Sequence, residues 1–356
     1  MTTVAASSPA IRRPNRRLLV PLIVIAIVIA YYFVLRAALA IADPARADSA
    51  GAVALQQTVN ALSIGSIYAL IALGYTMVYG IIELINFAHG DVFMVGAFTS
   101  LVFLKILMGQ SGPIADVPLL ILLIVGALAF TMPLTALLNV SIERIFYRPL
   151  RHASRLAPLI TAIGVSFILQ NLALVIAGSG DRGSPQIFSL QWRVELLGAS
   201  VPVLSFVTLA IALSLMAVLQ LFVGRTRLGR AMRSTAQDQQ ASRLMGVDVN
   251  QTIALTFLLG GALAGAAGVV WGLNFGYVRQ DLGFNAGLKA FTSAVLGGIG
   301  NITGAVIGGF FIGFVENFSS SLGLARWAEL LVFVVLTMVL VFRPTGILGQ
   351  QLGDRA

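Results

Sequence analysis

The chain has 356 residues, 58% of them hydrophobic and only 10% charged, a balance that excludes a water-soluble domain with a polar surface. Its formal charge of +9 is gathered in short basic segments between apolar runs, which is the pattern of membrane topology and argues against nucleic-acid binding. Cysteine is absent and only His89 and His152 offer imidazole, so disulfides and thiolate metal sites are excluded and a metalloenzyme has little to build with.

Residues 1–17 form a basic tail ending in Arg12, Arg13, Arg16 and Arg17, and the uncharged run from Leu18 to Leu35 opens a first span over 18–42. Ala45-Arg46-Ala47 resembles a signal-peptide cleavage site. The apolar run, however, exceeds the roughly 7 to 15 residues of a signal peptide, which favours an uncleaved anchor. Further spans are predicted at 58–80, 90–108, 118–140, 158–177, 201–223, 251–274, 303–319 and 326–342. A glycine-broken segment at 285–300 makes about ten crossings if it traverses, because only a helix or closed barrel satisfies its own backbone in lipid. A re-entrant loop there would instead leave the C-terminus outside. With the N-terminus inside, Arg144, Arg148, Arg151, Arg155, then Arg225, Arg227, Arg230, Arg233, Arg243, and finally Arg343 all fall on the cytoplasmic side. The expected fold is an all-α polytopic membrane protein with broken or re-entrant segments, its main domain spanning 55–349.

From Pro118 to Asn274 the spans carry no Asp, Glu, Lys or Arg. Ion-coupled carriers keep ionisable groups inside the bundle, so this absence argues against proton or sodium coupling. Gly260, Ala264, Gly268 and Gly272 recur at a spacing of four, and Gly304, Gly308, Gly309 and Gly313 repeat the pattern, which predicts close helix packing.

Two polar breaks interrupt the apolar text, Glu83 to Asp91 and Leu296 to Gly304. Discontinuous helices expose backbone groups and dipole ends that can hold a zwitterion without fixed charges. For the first break an ordinary hairpin, with Asp91 at the positive end of the next helix, is an equal alternative. Asn60, Tyr68, Asn86, His89, Asn171, Asn274 and Asn301 are candidates to line a path, although such residues also bond between helices. Within the segment 224–250, Ala236, Ala241, Leu244 and Met245 alternate with Asp238, Gln239, Gln240 and Arg243 in a short amphipathic helical pattern that Gly246 can stop.

Several long stretches resemble the branched-chain amino acid ABC transporter permeases: Asn60 to Gly80, Ile85 to Gly90, the 224–250 segment, Lys289 to Gly300, and Arg343 to Gly349. The resemblance covers about 55–349 and leaves the first 50 or so residues outside it. It implies an ABC importer permease fold in a bacterial inner membrane, while the basic segments and a count of ten crossings put both termini on the cytoplasmic side. The implied partners are two cytoplasmic ATPases, a second related permease or a second copy of this chain, a periplasmic or lipid-anchored solute-binding protein, and membrane lipids. ATP and Mg would sit on the ATPases and no cofactor on this chain, which carries no G-x-x-x-x-G-K-[ST] loop. Arg233, Ala236, Asp238, Ala241, Leu244 and Gly246 would then press on an ATPase. Leucine, isoleucine and valine are the implied substrates, with urea, short amides or other neutral amino acids as alternatives. A pore without fixed charges is expected to hold them weakly. An ATPase-independent carrier or channel is the rival from another class, and a membrane enzyme lacks a nucleophile or acid-base pair.

Overall fold

The computed structural model describes residues 16–151, 153–154, 156–189 and 191–349. His152 and Arg155 lie outside the described residues. Helix α1 (Arg16–Ala42) turns through Pro44–Ser49 into the 33-residue α2 (Ala50–Ile82). Helix α3 (His89–Leu101) continues as a π-helical turn to Leu107, and α4 (Val117–Ile142) continues through Glu143–Tyr147 to Leu150. Then come α5 (Leu156–Ala177), α6 (Val203–Arg225), α7 (Arg227–Gln237), α8 (Gln239–Leu244) and α9 (Val249–Phe275). The chain ends with α10 (Leu282–Gly297), α11 (Ile302–Ser321) and α12 (Ala328–Phe342). Among the described residues nine helices are long and apolar enough to cross a membrane.

Four short strands gather at one end of the bundle. β1 (Arg182–Gly183) pairs with β4 (Tyr277–Val278), and β2 (Arg193–Leu196) pairs with β3 (Ala199–Pro202), all antiparallel. The first pair ties the loop after α5 to the loop after α9, so both lie at the same end. At the opposite end, Gln239 of α8 donates to the Ile81 carbonyl at 2.9 Å. Ile347 and Leu348 donate backbone bonds to Leu296 and Gly297 at 2.8 and 3.1 Å. The ends of α2 and α10, helix α8 and residues 343–349 therefore share one face.

Helix α2 is the axis of the bundle. From Gly65 to Val78 every residue is buried, which explains why its sequence is apolar all round rather than striped. Helices without an aqueous driving force between them associate by close packing, and the predicted glycine stripes supply it. Gly309 and Gly313 set α11 against Ala69 and Gly65 of α2, while Gly304 and Gly308 set it against Gly297 and Ser293 of α10. Gly260 meets Gly74 of α2, and Gly268 meets the backbone of α3 at Phe93 to Ala97. Helix α1 lies along α2 and α11, where Tyr31 stacks on Phe314 (4.5 Å) and donates to Asn317 (3.1 Å).

The two polar breaks differ in what they do. Helix α2 runs to Ile82 and ends on Glu83 in the left-handed conformation (φ 54). Residues 84–88 then turn back, so that the His89 ring packs against Gly74 and Gly260. Gly74 is eight residues before Ile82, about 12 Å along the helix axis. Helix α3 therefore begins inside the bundle. Helix α10 does likewise. After α9 ends, Tyr277 lies back beside Trp271, whose indole donates to its carbonyl at 3.2 Å, and α10 then starts with Gly283 against Gly90 and Asp91. Its 16 residues cover about 24 Å, short of a hydrocarbon core of roughly 30 Å, and the extended stretch before it completes the distance. The segment predicted as either a crossing or a re-entrant loop is thus a short helix joined to an irregular lead-in, and residues 343–349 return to the α8 end. The second break, Gly298 to Asn301, is an ordinary turn between α10 and α11 at that end.

Candidate functional site

The start of α3 brings Asn86 and His89 together with the aromatic residues around them. His89 is fully buried, edge-on to Tyr75 at 4.8 Å, and Phe291 of α10 closes the group against Tyr75 (5.9 Å) and Phe87 (6.0 Å). Asn86 accepts from the Tyr147 hydroxyl at 3.1 Å. Tyr147 sits in the π turn of α4 next to Glu143, whose buried carboxylate pairs with Arg148 at 3.1 Å and with Arg151. Arg151 also donates to Asn250 at 2.6 Å, pinning the end of α4 to the start of α9. Burial pulls the Arg151 guanidinium below its ordinary pKa, and the adjacent Glu143 opposes that shift. Residues 84–88 are thereby held from one side by α4 and from the other by α10.

Tyr68 meets two charged residues of other helices. Its hydroxyl donates to Glu316 of α11 at 2.6 Å, and Lys289 of α10 donates to the other oxygen of Glu316 at 2.7 Å. The Lys289 ammonium lies 5.9 Å from the centre of the Tyr68 ring. Unlike the spans from Pro118 to Asn274, the helices that follow them therefore carry a charged pair within the bundle. Lys289 and Glu316 lie in α10 and α11, beyond the charge-free spans that end at Asn274. An ionisable residue in a span is costly unless paired, and each of these two has the other as its partner.

The other candidates fall elsewhere. Asn60 donates to Gln57 one turn earlier at 3.4 Å. Asn171 is exposed and bonds its own helix at Phe167, facing away from the interior. Asn274 donates to Thr208 at 2.6 Å and accepts from Ser63 at 3.4 Å, joining α2, α6 and α9. Asn301 caps α11 through the Gly304 amide at 3.2 Å and donates to the Leu348 carbonyl at 2.9 Å. The bonds of Asn274 join helices, those of Asn301 hold a helix end, and those of Asn60 and Asn171 stay within their own helices.

The 224–250 segment is built from three consecutive caps. Thr226 accepts from Gly229 at the start of α7, Asp238 from Gln240 (2.7 Å) and Ala241 (2.9 Å) at the start of α8, and Asp248 from Gln251 at the start of α9. Arg233 donates back to the Val223 carbonyl, fixing α7 beneath α6. Ala236 is half-buried against the bundle and Ala241 is exposed. Gly246 (φ +84) ends α8 in the left-handed region, with the Val247 amide bonded to Ser242 at 3.0 Å. Past this frame Leu244 and Met245 stand 89% and 84% exposed. Two adjacent apolar side chains are thus left exposed at the end of a helix capped at both ends.

Nine membrane-length helices among the described residues, one of them (α3) starting inside the bundle beside the shorter α10, and a capped pair of surface helices at one end define a multi-pass transport permease. The chain belongs to the family described as branched-chain amino acid transport system, permease component, whose model matches residues 57–341. It is 42% identical over 299 residues to the high-affinity branched-chain amino acid transport system permease protein BraD of Pseudomonas aeruginosa, covering 83% of this chain and 96% of that one. The same figures hold for LivH of Escherichia coli K12, a high-affinity branched-chain amino acid transport system permease protein. A probable branched-chain amino acid transport permease protein LivH of Methanocaldococcus jannaschii is 27% identical over 308 residues, covering 82% and 91%. No solved structure matches. Helix α1 precedes the matched residues.

Proposed function

We propose that this chain is one of two permease halves of an ATP-driven importer of leucine, isoleucine and valine. The observation that carries the proposal is the 42% identity to permeases of high-affinity branched-chain amino acid systems, over almost their whole length. Two ATPases holding ATP and Mg would dock at the α8 end, and a solute-binding protein would deliver substrate at the end bearing the β-strands. The arginines crowding the α8 end favour placing it in the cytoplasm. This chain then does no covalent chemistry.

In this reading closure of the ATPases pushes α7 and α8, and the bond from Gln239 to Ile81 passes the movement to the end of α2 and the residues that follow it. Moving a two-state equilibrium from 1:99 to 99:1 takes about 5.5 kcal/mol of differential binding, a scale that nucleotide-driven closure can supply. The test is gentle extraction of the tagged chain, mass spectrometry of its companions, and leucine uptake by proteoliposomes of the recovered complex. ATP-dependent, binding-protein-dependent uptake supports the proposal. Reproducible transport by this chain alone refutes it in favour of a carrier or channel.

A further inference from the structure

The Lys289, Glu316 and Tyr68 cluster has more polar capacity than its internal contacts use. Glu316 lies five residues before the end of α11, about 8 Å inside the bundle at the end bearing the β-strands. Its side chain is 21% exposed and that of Lys289 14%, so each keeps an open side. That side continues as a polar stripe, because Asn285 and Ser320, four residues from Lys289 and Glu316 on the same helices, are both exposed. An ammonium has three donors and only one is taken here by Glu316.

Holding α10 to α11 does not require this pair. The two helices already touch backbone to backbone at Gly297 with Gly304 and at Ser293 with Gly308. A partly buried ion pair adds little net stability over an apolar contact of the same size, since desolvation offsets most of the attraction. A lysine and a glutamate placed where packing alone would suffice call for a chemical reason.

We propose that Lys289 and Glu316 read the two charges of a zwitterionic α-amino acid on the transport path, the ammonium of Lys289 taking the substrate carboxylate and Glu316 taking the substrate ammonium. The inference rests on the function proposed above and names the residues that would recognise its substrate class. Substrate entry exchanges one ion pair for two, so the net charge of the site is zero before and after and no proton or ion has to accompany the amino acid. Tyr68 keeps Glu316 in place by its hydroxyl and supports Lys289 with its ring face. The substrate side chain takes no part in these bonds, which leaves the choice among neutral amino acids to the binding protein.

The test uses the complete importer with its binding protein in proteoliposomes. Lys289→Gln and Glu316→Gln are each expected to lower leucine uptake at saturating binding protein at least tenfold, and to raise the ATP hydrolysed per leucine moved. The exchanged variant, Lys289→Glu with Glu316→Lys, is expected to recover the thermal midpoint of the unaltered complex but not its uptake. Recovery of uptake in the exchanged variant would show that the pair only holds the helices together and would overturn the proposal. So would unaltered uptake in both single variants. A measurement that needs no variant is photo-crosslinking of the unaltered complex with diazirine-bearing leucine, which should label residues 285–289 or 316–320. Labelling only elsewhere, or none, overturns the proposal. Absence of branched-chain uptake by the unaltered complex would instead fail the parent reading.

Discussion

Replacing Leu244 and Met245 together by serine removes the two bare apolar side chains at the end of α8 without disturbing a packed contact, since both are more than four-fifths exposed. Full burial of a leucine or methionine is worth about 1.5 to 3 kcal/mol. If docking on an ATPase buries half to two-thirds of what each now exposes, the pair contributes about 2 kcal/mol, roughly thirtyfold in affinity. The caps at Asp238 and Gly246 are untouched, so the thermal midpoint of the isolated permease should stay the same. The assay is titration of purified ATPase onto the permease in nanodiscs, followed by ATP hydrolysis stimulated by liganded binding protein. A weakening of roughly thirtyfold with unchanged stability is expected. Unchanged affinity would refute the assignment of this surface, because no other loss could hide the effect.

Gly246→Ala places a side chain in the left-handed region but meets no atom within 4 Å. It should loosen the end of α8 by about 1 to 2 kcal/mol, lowering coupled ATP hydrolysis while global stability holds. Gly268→Leu drives a side chain into the α3 backbone, where a Cβ alone would lie 2.9 Å from the Phe93 carbonyl oxygen. Overpacking against backbone costs about 3 kcal/mol, read as a fallen thermal midpoint in detergent. Glu143→Gln leaves Arg148 and Arg151 without their shared carboxylate, and a loss of about 3 kcal/mol is expected by the same thermal measurement. Asn171→Leu should leave both stability and uptake unchanged, as its amide bonds only its own helix.

Most of the bundle can be read directly from hydropathy, because lipid demands long apolar helices and punishes charge within them. The nine long helices fall on predicted spans, and the glycine stripes mark contacts that the structure contains. Span ends are harder to read. Helix α2 begins at Ala50 rather than near 58, since Ala50 to Leu55 are as compatible with helix as with an exposed loop. Helix α4 carries on to Leu150 through π and 3-10 turns that bury Glu143, a residue that composition assigns to the surface. The internal start of α3 falls at the predicted break from Glu83 to Asp91, whereas that of α10 leaves no periodic signal, because the six residues between α9 and α10 look like an ordinary loop. The meeting of Lys289 with Glu316 is a tertiary fact, made by two helices that cross 27 residues apart in sequence.

Where two backbones press together, the identity of the residue between them is no longer free to drift. At Gly309 and Gly313 the neighbours of a hypothetical Cβ include main-chain atoms of Ala69 and Gly65, which have no rotamer to change and no room to withdraw. The same holds at Gly297 and Gly304, each the other's wall. Substitution in this protein should therefore accumulate on the outward faces of α5, α6 and α12, where lipid accepts any apolar shape. The strip from α2 through α11 to α10 has almost no synonyms, and a library of random variants selected for growth on an imported amino acid should return those glycines unaltered.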